Sequence, residues 1–395
     1  MAERREVGVG KSRKGTDWRL RAAVLGLAIL VGCPKPTPAP RPSRDLAPLR
    51  VSRLVRSDVH DKEGWGADVH RALVQAGQPV TKDTACQVLA VIEQESGYEA
   101  DPVVPNLGRV VKGEVDAVFA RLGPAAAPIR RALLDHVADG ASGTFEQRLG
   151  RVRTEQDADR LYREIVAFHL DRHPSVARAM RLLAPGFVED HNPITTAGSM
   201  QVSVGWAIEQ GASRGLDAAT VRDALYTRRG GVEYGTARLF THDAPYTDPR
   251  HRFADYNAGV WASRNAAVQA LASNLTGIDI ALDGDILRYD SDGEPSTEVS
   301  NTVKVLLAVA AAHPDRLSDR QVRSDAKLEK TAAFDDTRTV RVVREAWSAK
   351  HDRAWPYAWM PIVTLDSPKM KSGRTTQWFA DNVKRRYDAC LARGR

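Results

Sequence analysis

Residues 81–101, TKDTACQVLAVIEQESGYEAD, decide how the rest of this chain is interpreted, because they have the pattern of a single helix. Thr81 and Asp83 are residue types whose side chains cap the first turn of a helix. Gly97 is the residue type that most readily adopts the left-handed turn after a helix. The stretch therefore predicts a helix that begins near Thr81 and ends before Gly97.

One carboxylate lies on the apolar face of this predicted helix. At about 100° per residue, Val88, Ile92 and Glu95 fall within about 60° of one another. Apolar surroundings and the negative end of the helix dipole both disfavour an ionised carboxylate, so we expect a raised pKa for Glu95. Glu95 is therefore a candidate general acid. The alternative is a solvated carboxylate at a frayed helix end.

Two later stretches fit the same site. Glu95-Ser96 is followed along the chain by GSMQ at residues 198–201 and by YNAG at residues 256–259. In this order, ES, GSMQ and YNAG resemble the lysozyme-like fold of the lytic transglycosylases and goose-type lysozymes. The resemblance covers residues 83–274 and implies a mainly α-helical, lysozyme-like domain.

The resemblance also implies a role for each motif. Glu95 would be the acid/base, the GSMQ turn would line a glycan-binding cleft, and YNAG would place a Tyr on Glu95 and an Asn near the sugar. The amide of Gln201 offers both a donor and an acceptor, for an N-acetyl group or for a loop carbonyl. The implied substrate-binding residues are Ser96, Ser199, Met200, Gln201, Tyr256 and Asn257.

The expected reaction is cleavage of the glycan strands of peptidoglycan, with no cofactor and no metal. No second carboxylate has a clear place in the motifs, although Glu189 and Asp190 lie just upstream of GSMQ. A single Glu fits the substrate-assisted exception, in which the N-acetyl oxygen of the substrate stabilises the oxocarbenium ion. Glu95 would then deprotonate the 6-hydroxyl of the sugar, giving anhydro ends as the transglycosylases do, or water, giving reducing ends as lysozymes do. The alternative function is a peptidoglycan-binding or scaffolding protein that does not turn over.

The composition argues against one class of partner. The 395 residues are 43% hydrophobic, which is ordinary for a globular protein. The formal net charge is +7, and more than half of it lies in residues 1–32. The sequence has no zinc-finger spacing, no phosphate-binding loop and no basic run interleaved with aromatic residues. We therefore expect no nucleic-acid partner.

The beginning of the chain resembles the signal peptide of a bacterial lipoprotein. Several basic residues precede an apolar run over residues 20–31, which is too short to span a bilayer. The run ends in Leu-Val-Gly-Cys33, which resembles a lipobox and implies a lipid on Cys33. The Pro-rich residues 34–45 would form an extended spacer. Because no Asp follows Cys33, the resemblance implies an outer-membrane lipoprotein that faces the periplasm.

The cysteines and the motifs together predict the organisation of the chain. Lipidation of Cys33 leaves two of the three cysteines, so we expect a disulfide between Cys86 and Cys390 in an oxidising envelope. The predicted parts are a signal peptide (1–32), the lipidated Cys with its linker (33–48), a lysozyme-like catalytic domain (49–290) that contains a helical insert (103–190), and a C-terminal extension (291–395) packed on that domain.

The insert separates ES from GSMQ, which lie only a short loop apart in the family. Residues 145–169 mix apolar and charged residues at helical spacing, which predicts a helical run. His169 and His173 would share a helix face and could hold a metal, but the Glu of an H-E-x-x-H motif is missing, so we interpret both as structural or solvated. The insert could roof the cleft, bind stem peptides or dock a protein partner. The predicted core positions of the run are Leu149, Val152, Leu161, Ile165 and Phe168.

Overall fold

In the computed structural model the described part of the chain is mainly α-helical, with one two-stranded antiparallel sheet. The described residues are 45–183, 186–290, 293–364 and 373–393. The predicted signal peptide, Cys33 and most of the linker lie outside these ranges. No helix within them is long and apolar enough to cross a bilayer.

The helices follow one another along the chain with short connections. Within the described residues, two 3-10 helices cover Gly123–Ala125 and Ala332–Asp336. The strands are β1 (Thr196–Ala197) and β2 (Val202–Ser203). The α-helices are α1 (Pro48–Ser52), α2 (Lys62–Gln75), α3 (Lys82–Glu95), α4 (Leu107–Ala120), α5 (Ala126–Leu134), α6 (Phe145–Leu149), α7 (Glu155–Arg172), α8 (Pro174–Leu183), α9 (Phe187–Asp190), α10 (Val204–Ala212), α11 (Ala218–Leu225), α12 (Arg228–Leu239), α13 (Pro249–Ala258), α14 (Ala262–Thr276), α15 (Asn301–Ala312), α16 (Asp319–Ala326), α17 (Arg338–His351) and α18 (Thr376–Ala392).

A first hydrophobic core surrounds α3. The side chain of Thr81 accepts a hydrogen bond from the Thr84 N–H at 3.1 Å, and the Thr81 N–H donates to the Thr84 hydroxyl at 3.0 Å, so the helix begins where the sequence predicts. Residues 84–92 are all buried, because α2 and α12 pack on α3 and α18 covers it as well. Gly97 follows the helix with φ of 63°. Trp65 of α2 is 4% exposed and belongs to the same core.

A second hydrophobic core lies among α14, α15, α16 and α17. Val268, Leu306, Phe334 and Val343 are among its fully or almost fully buried side chains. The chain then returns to the first core, where α18 packs along α3 and α13. Cys390 of α18 is bonded to Cys86 of α3, the predicted pair.

The helical run predicted over residues 145–169 is divided into α6 and α7. The chain leaves the helix at Gly150, and Thr154 starts the next one with a reciprocal pair of hydrogen bonds to Asp157. Four of the five predicted core positions are buried and Ile165 is partly buried. His169 donates to the Leu133 carbonyl at 2.9 Å. In the described ranges, no three His, Cys, Asp or Glu side chains converge on a possible metal site.

Candidate active site

Glu95 is the last residue of α3, and its side chain is partly exposed. Protein atoms surround the carboxyl closely enough that loss of hydration has the largest effect on its pKa. The pKa of the Glu95 carboxyl is raised to about 7, mainly by burial and also by the negative charge of Glu155, while the Arg386 guanidinium opposes both effects. A carboxyl with this pKa keeps a proton that it can donate near neutral pH.

The GSMQ motif forms the turn between β1 and β2. Ala197 pairs with Val202 in the two-stranded sheet, and the Gln201 N–H donates to the Gly198 carbonyl at 2.9 Å to close the turn. Gly198 has φ of 80°, and a Cβ at this position would overlap the Leu225 carbonyl oxygen. Only glycine fits both constraints, which accounts for the first residue of the motif.

The side chains of Ser199 and Met200 face into the protein. Both residues are 0% exposed. Met200 packs on Gly235 of α12, where even a Cβ would overlap the Met200 side chain, and Ser199 lies against Gly231 of the same helix. Solvent reaches neither side chain, so both belong to the packing behind the turn and not to a surface that binds substrate.

Gln201 is held by protein groups on both sides of its amide. Its Nε2 donates to the Glu155 carboxylate at 2.9 Å and lies 3.4 Å from the Gly198 carbonyl oxygen. Its Oε1 accepts from the Thr196 hydroxyl at 2.9 Å. The sequence suggested an N-acetyl group or a loop carbonyl as the partner of this amide, and the Gly198 carbonyl is such a loop carbonyl. The carboxylate of Glu155, which belongs to the insert, is a partner that the sequence did not suggest.

Tyr256 bonds a different group from the one the sequence predicted. Its hydroxyl donates to the Met200 carbonyl at 2.7 Å and not to Glu95. The turn leaves this carbonyl free of the hairpin ladder, so it is available to the phenol. Burial raises the pKa of Tyr256, and the nearby charge of Glu95 adds to that rise. Tyr256 therefore ties α13 to the GSMQ turn beside Glu95.

The remaining predicted residues lie at the edge of this arrangement. The Ser96 hydroxyl donates to the Ile92 carbonyl at 3.1 Å, within its own helix. Asn257 is exposed near the end of α13. Glu189 accepts a hydrogen bond from the Arg222 guanidinium at 2.6 Å, so this carboxylate has a structural partner.

Two charged residues of the site were missed by the sequence interpretation. Glu155 is the first residue of α7, and Arg386 is on α18. Neither belongs to a recognisable motif, and each reaches Glu95 only through the packing of distant helices. A third charged residue, Arg238 of α12, lies near Tyr256, and its guanidinium is 5.7 Å from the Trp206 ring centroid.

A wide depression of about 890 Å³ lies elsewhere, between the start of α13 and α18. Two of its basic side chains form ion pairs, since Arg250 bonds Asp248 at 2.6 Å and Lys384 bonds Asp388 at 2.7 Å. The lining of the depression includes neither Glu95 nor a residue of GSMQ or YNAG, so we place the candidate site at Glu95.

Comparisons with known proteins identify the family. The family described as "Protein of unknown function (DUF1615)" matches residues 58–393. The chain is also 32% identical over 375 residues to "Uncharacterized protein YaiW" of Escherichia coli (strain K12), and the alignment covers 93% of this chain and 97% of the relative. No solved structure matches the chain significantly. The chain therefore belongs to the DUF1615 family.

Proposed function

We propose that this protein cleaves the glycan strands of peptidoglycan, and that the helices around α3 form a lysozyme-like domain. The observation that carries the proposal is the state of Glu95, a partly exposed carboxyl whose pKa is raised to about 7. The contacts between motifs support it. Tyr256 of YNAG bonds the backbone of Met200 in GSMQ, and the charge of Glu95 acts on Tyr256.

In the proposed reaction Glu95 protonates the glycosidic oxygen as the bond breaks. Burial keeps that proton on the carboxyl until it is needed, which is the requirement for a general acid at neutral pH. The N-acetyl oxygen of the substrate stabilises the oxocarbenium ion. The resulting Glu95 carboxylate then takes a proton from the 6-hydroxyl of the sugar, which forms an anhydro end. Attack by water in place of the hydroxyl is the lysozyme variant of the same reaction.

The test is turnover of purified sacculi by the wild type and by Glu95→Gln. The substitution keeps the shape of the side chain but removes the proton that is transferred, so we expect turnover to fall by about 10² to 10⁴-fold. The matched control is Glu93→Gln on the same helix, because Glu93 pairs with Arg56 and Arg393 and not with the site. The control should keep its turnover.

Mass spectrometry of the released fragments separates the outcomes. Anhydro ends identify a transglycosylase, and reducing ends, one water heavier, identify a lysozyme. If folded wild type binds sacculi but releases neither product at any envelope-like pH, the binding and scaffolding alternative replaces the enzyme. If it neither binds nor cleaves sacculi, both functions are wrong.

We also propose that the protein is an outer-membrane lipoprotein that faces the periplasm. The support is the apolar run followed by the lipobox-like residues that end at Cys33. Each methylene of an acyl chain contributes about 0.8 kcal/mol of membrane binding, so Cys33→Ala should abolish stable attachment. Membrane fractionation and the mass of the Cys33 peptide provide the test. A soluble wild type without acyl mass contradicts this proposal.

A further inference from the structure

The insert reaches the candidate site through the start of α7. The chain just after α3 pairs with the chain just before α7, since Val103 forms an isolated antiparallel bridge with Thr154 and the Val104 N–H donates to the Arg153 carbonyl at 2.9 Å. Asp101 adds a hydrogen bond from the Gln156 N–H at 3.3 Å. These contacts fix the first turn of α7 beside the end of α3.

This placement buries a carboxylate of the insert. Glu155 is 4% exposed, which is rare for a Glu unless it has partners. One partner is the Gln201 amide, whose Nε2 donates to it at 2.9 Å. Because the Oε1 of the same amide accepts from Thr196, the orientation of the amide is defined and its N–H group faces the carboxylate. Glu155 is thereby joined to the GSMQ turn.

The two carboxyl groups of the site occupy opposite ends of helices. Glu155 is at the N-terminus of α7, where the helix dipole and free N–H groups favour a negative charge. Glu95 is at the C-terminus of α3, where the dipole disfavours one. The helix ends therefore give the two carboxyls surroundings of opposite electrostatic preference.

We infer that the insert is part of the active site, and that Glu155 is a positioning residue whose carboxylate holds the Gln201 amide of the GSMQ turn and whose negative charge acts on Glu95. The catalytic meaning of this inference rests on the proposed function, but the effect of the Glu155 charge on Glu95 does not. The other charged group that acts on Glu95 is Arg386 from α18, and Tyr256 from α13 lies near enough to be affected by the charge of Glu95. Removing the Glu155 charge leaves both of them in place.

The experiment is a titration of Glu95 by NMR in protein labelled with ¹³C at the glutamate carboxyls, its signal being assigned by its loss in Glu95→Gln. We expect Glu155→Gln to move the midpoint of Glu95 to lower pH, because it removes a nearby negative charge, and by less than half of the total shift, because burial is the larger cause. Glu155→Asp keeps the charge and the preference for an acid at a helix start, so it serves as a second, better tolerated variant. Because Asp is one methylene shorter than Glu, its carboxylate is withdrawn from the site. Glu155→Asp should therefore also lower the midpoint of Glu95, but by less than Glu155→Gln does.

The matched control is Asp171→Asn, which removes one negative charge from an exposed position at the other end of α7. It should leave the midpoint of Glu95 unchanged. Circular dichroism establishes that each variant is folded. A midpoint that stays at the wild-type value in both Glu155 variants overturns the inference, and so does an equal shift in the control.

Measuring the turnover of sacculi as well distinguishes a failure of the proposed function from a failure of the inference about Glu155. If the protein cleaves sacculi, Glu155→Gln should move the basic limb of the pH profile to lower pH, because a general acid loses its proton earlier when its pKa falls. If the midpoint shifts as expected but sacculi are not cleaved, the inference about Glu155 stands and the proposed function fails. If sacculi are cleaved and the midpoint does not shift, the proposed function stands and the inference about Glu155 fails.

Discussion

The disulfide between Cys86 and Cys390 joins the helix that ends on Glu95 to the helix that carries Arg386. It closes a loop with a sequence separation of 304, for which the chain-entropy model allows about 5 kcal/mol of stabilisation at most. We expect the double variant Cys86→Ser and Cys390→Ser to unfold at a lower temperature than the wild type in circular dichroism.

The control for this prediction is the wild type with added reductant, which should melt close to the double variant. The thiols report the bond directly. If both cysteines react with a thiol reagent in unfolded, unreduced protein, they are not paired in solution and the prediction is wrong.

The raised pKa of Glu95 makes the stability of the protein depend on pH. The pKa is about 7 in the folded protein and 4.5 ordinarily, so between these values the folded state binds more protons than the unfolded state. The contribution of Glu95 is therefore fully present below about pH 4.5 and is lost as the pH rises to about 7. Over that window we expect the wild type to lose on the order of 3 kcal/mol relative to Glu95→Gln.

Urea unfolding of both proteins at a series of pH values measures this difference. Every other titrating group is shared, so the difference in unfolding free energy isolates Glu95. Curves that run parallel across the window contradict the prediction.

Arg386 should have the opposite effect to Glu155, because its positive charge favours the ionised form of Glu95. We expect Arg386→Met to move the titration midpoint of Glu95 to higher pH. The matched control is Arg385→Met, since Arg385 is the next residue on α18 but is exposed and lines the separate depression. An unchanged midpoint, or equal shifts in the two variants, contradicts the placement of Arg386.

Gly235 sets how closely α12 approaches the GSMQ turn. A methyl group there overlaps the Met200 side chain, so Gly235→Ala should cost about 1 to 3 kcal/mol of unfolding free energy through overpacking. Gly205 of α10 is a helical glycine with open space around its Cβ position. Gly205→Ala should therefore stabilise the protein by up to about 1 kcal/mol. Denaturant unfolding measures both, and a neutral Gly235→Ala contradicts the close packing.

The part of the site that the sequence predicted rests on local signals. The start of α3 follows from the residue type at Thr81, although Thr84 and not the predicted Asp83 completes the cap, and the end of α3 follows from Gly97. Both are decided within a few neighbouring residues, as helix caps are. The position of Glu95 on the apolar face of the helix follows from the helical repeat, which places it near Val88 and Ile92. These features need no knowledge of the distant chain.

The parts that the sequence did not predict depend on long-range pairing. A Glu in the first turn of a helix has the same local sequence whether it is solvated or buried, and the burial of Glu155 results from the bridge between Val103 and Thr154. The acceptor of the Tyr256 hydroxyl depends on which carbonyl the GSMQ turn leaves open. Neither has a signature in a single sequence.

The packing of α18 against α3 also bears on how the protein is made. During synthesis the helix that ends on Glu95 emerges long before the helix that covers it, so the buried face of α3 stays open until the chain has been extended to Cys390. A nascent or prematurely terminated chain presents that apolar face to chaperones and proteases. It also has Glu95 without Arg386 beside it. The candidate site is therefore complete only after α18 has been synthesised.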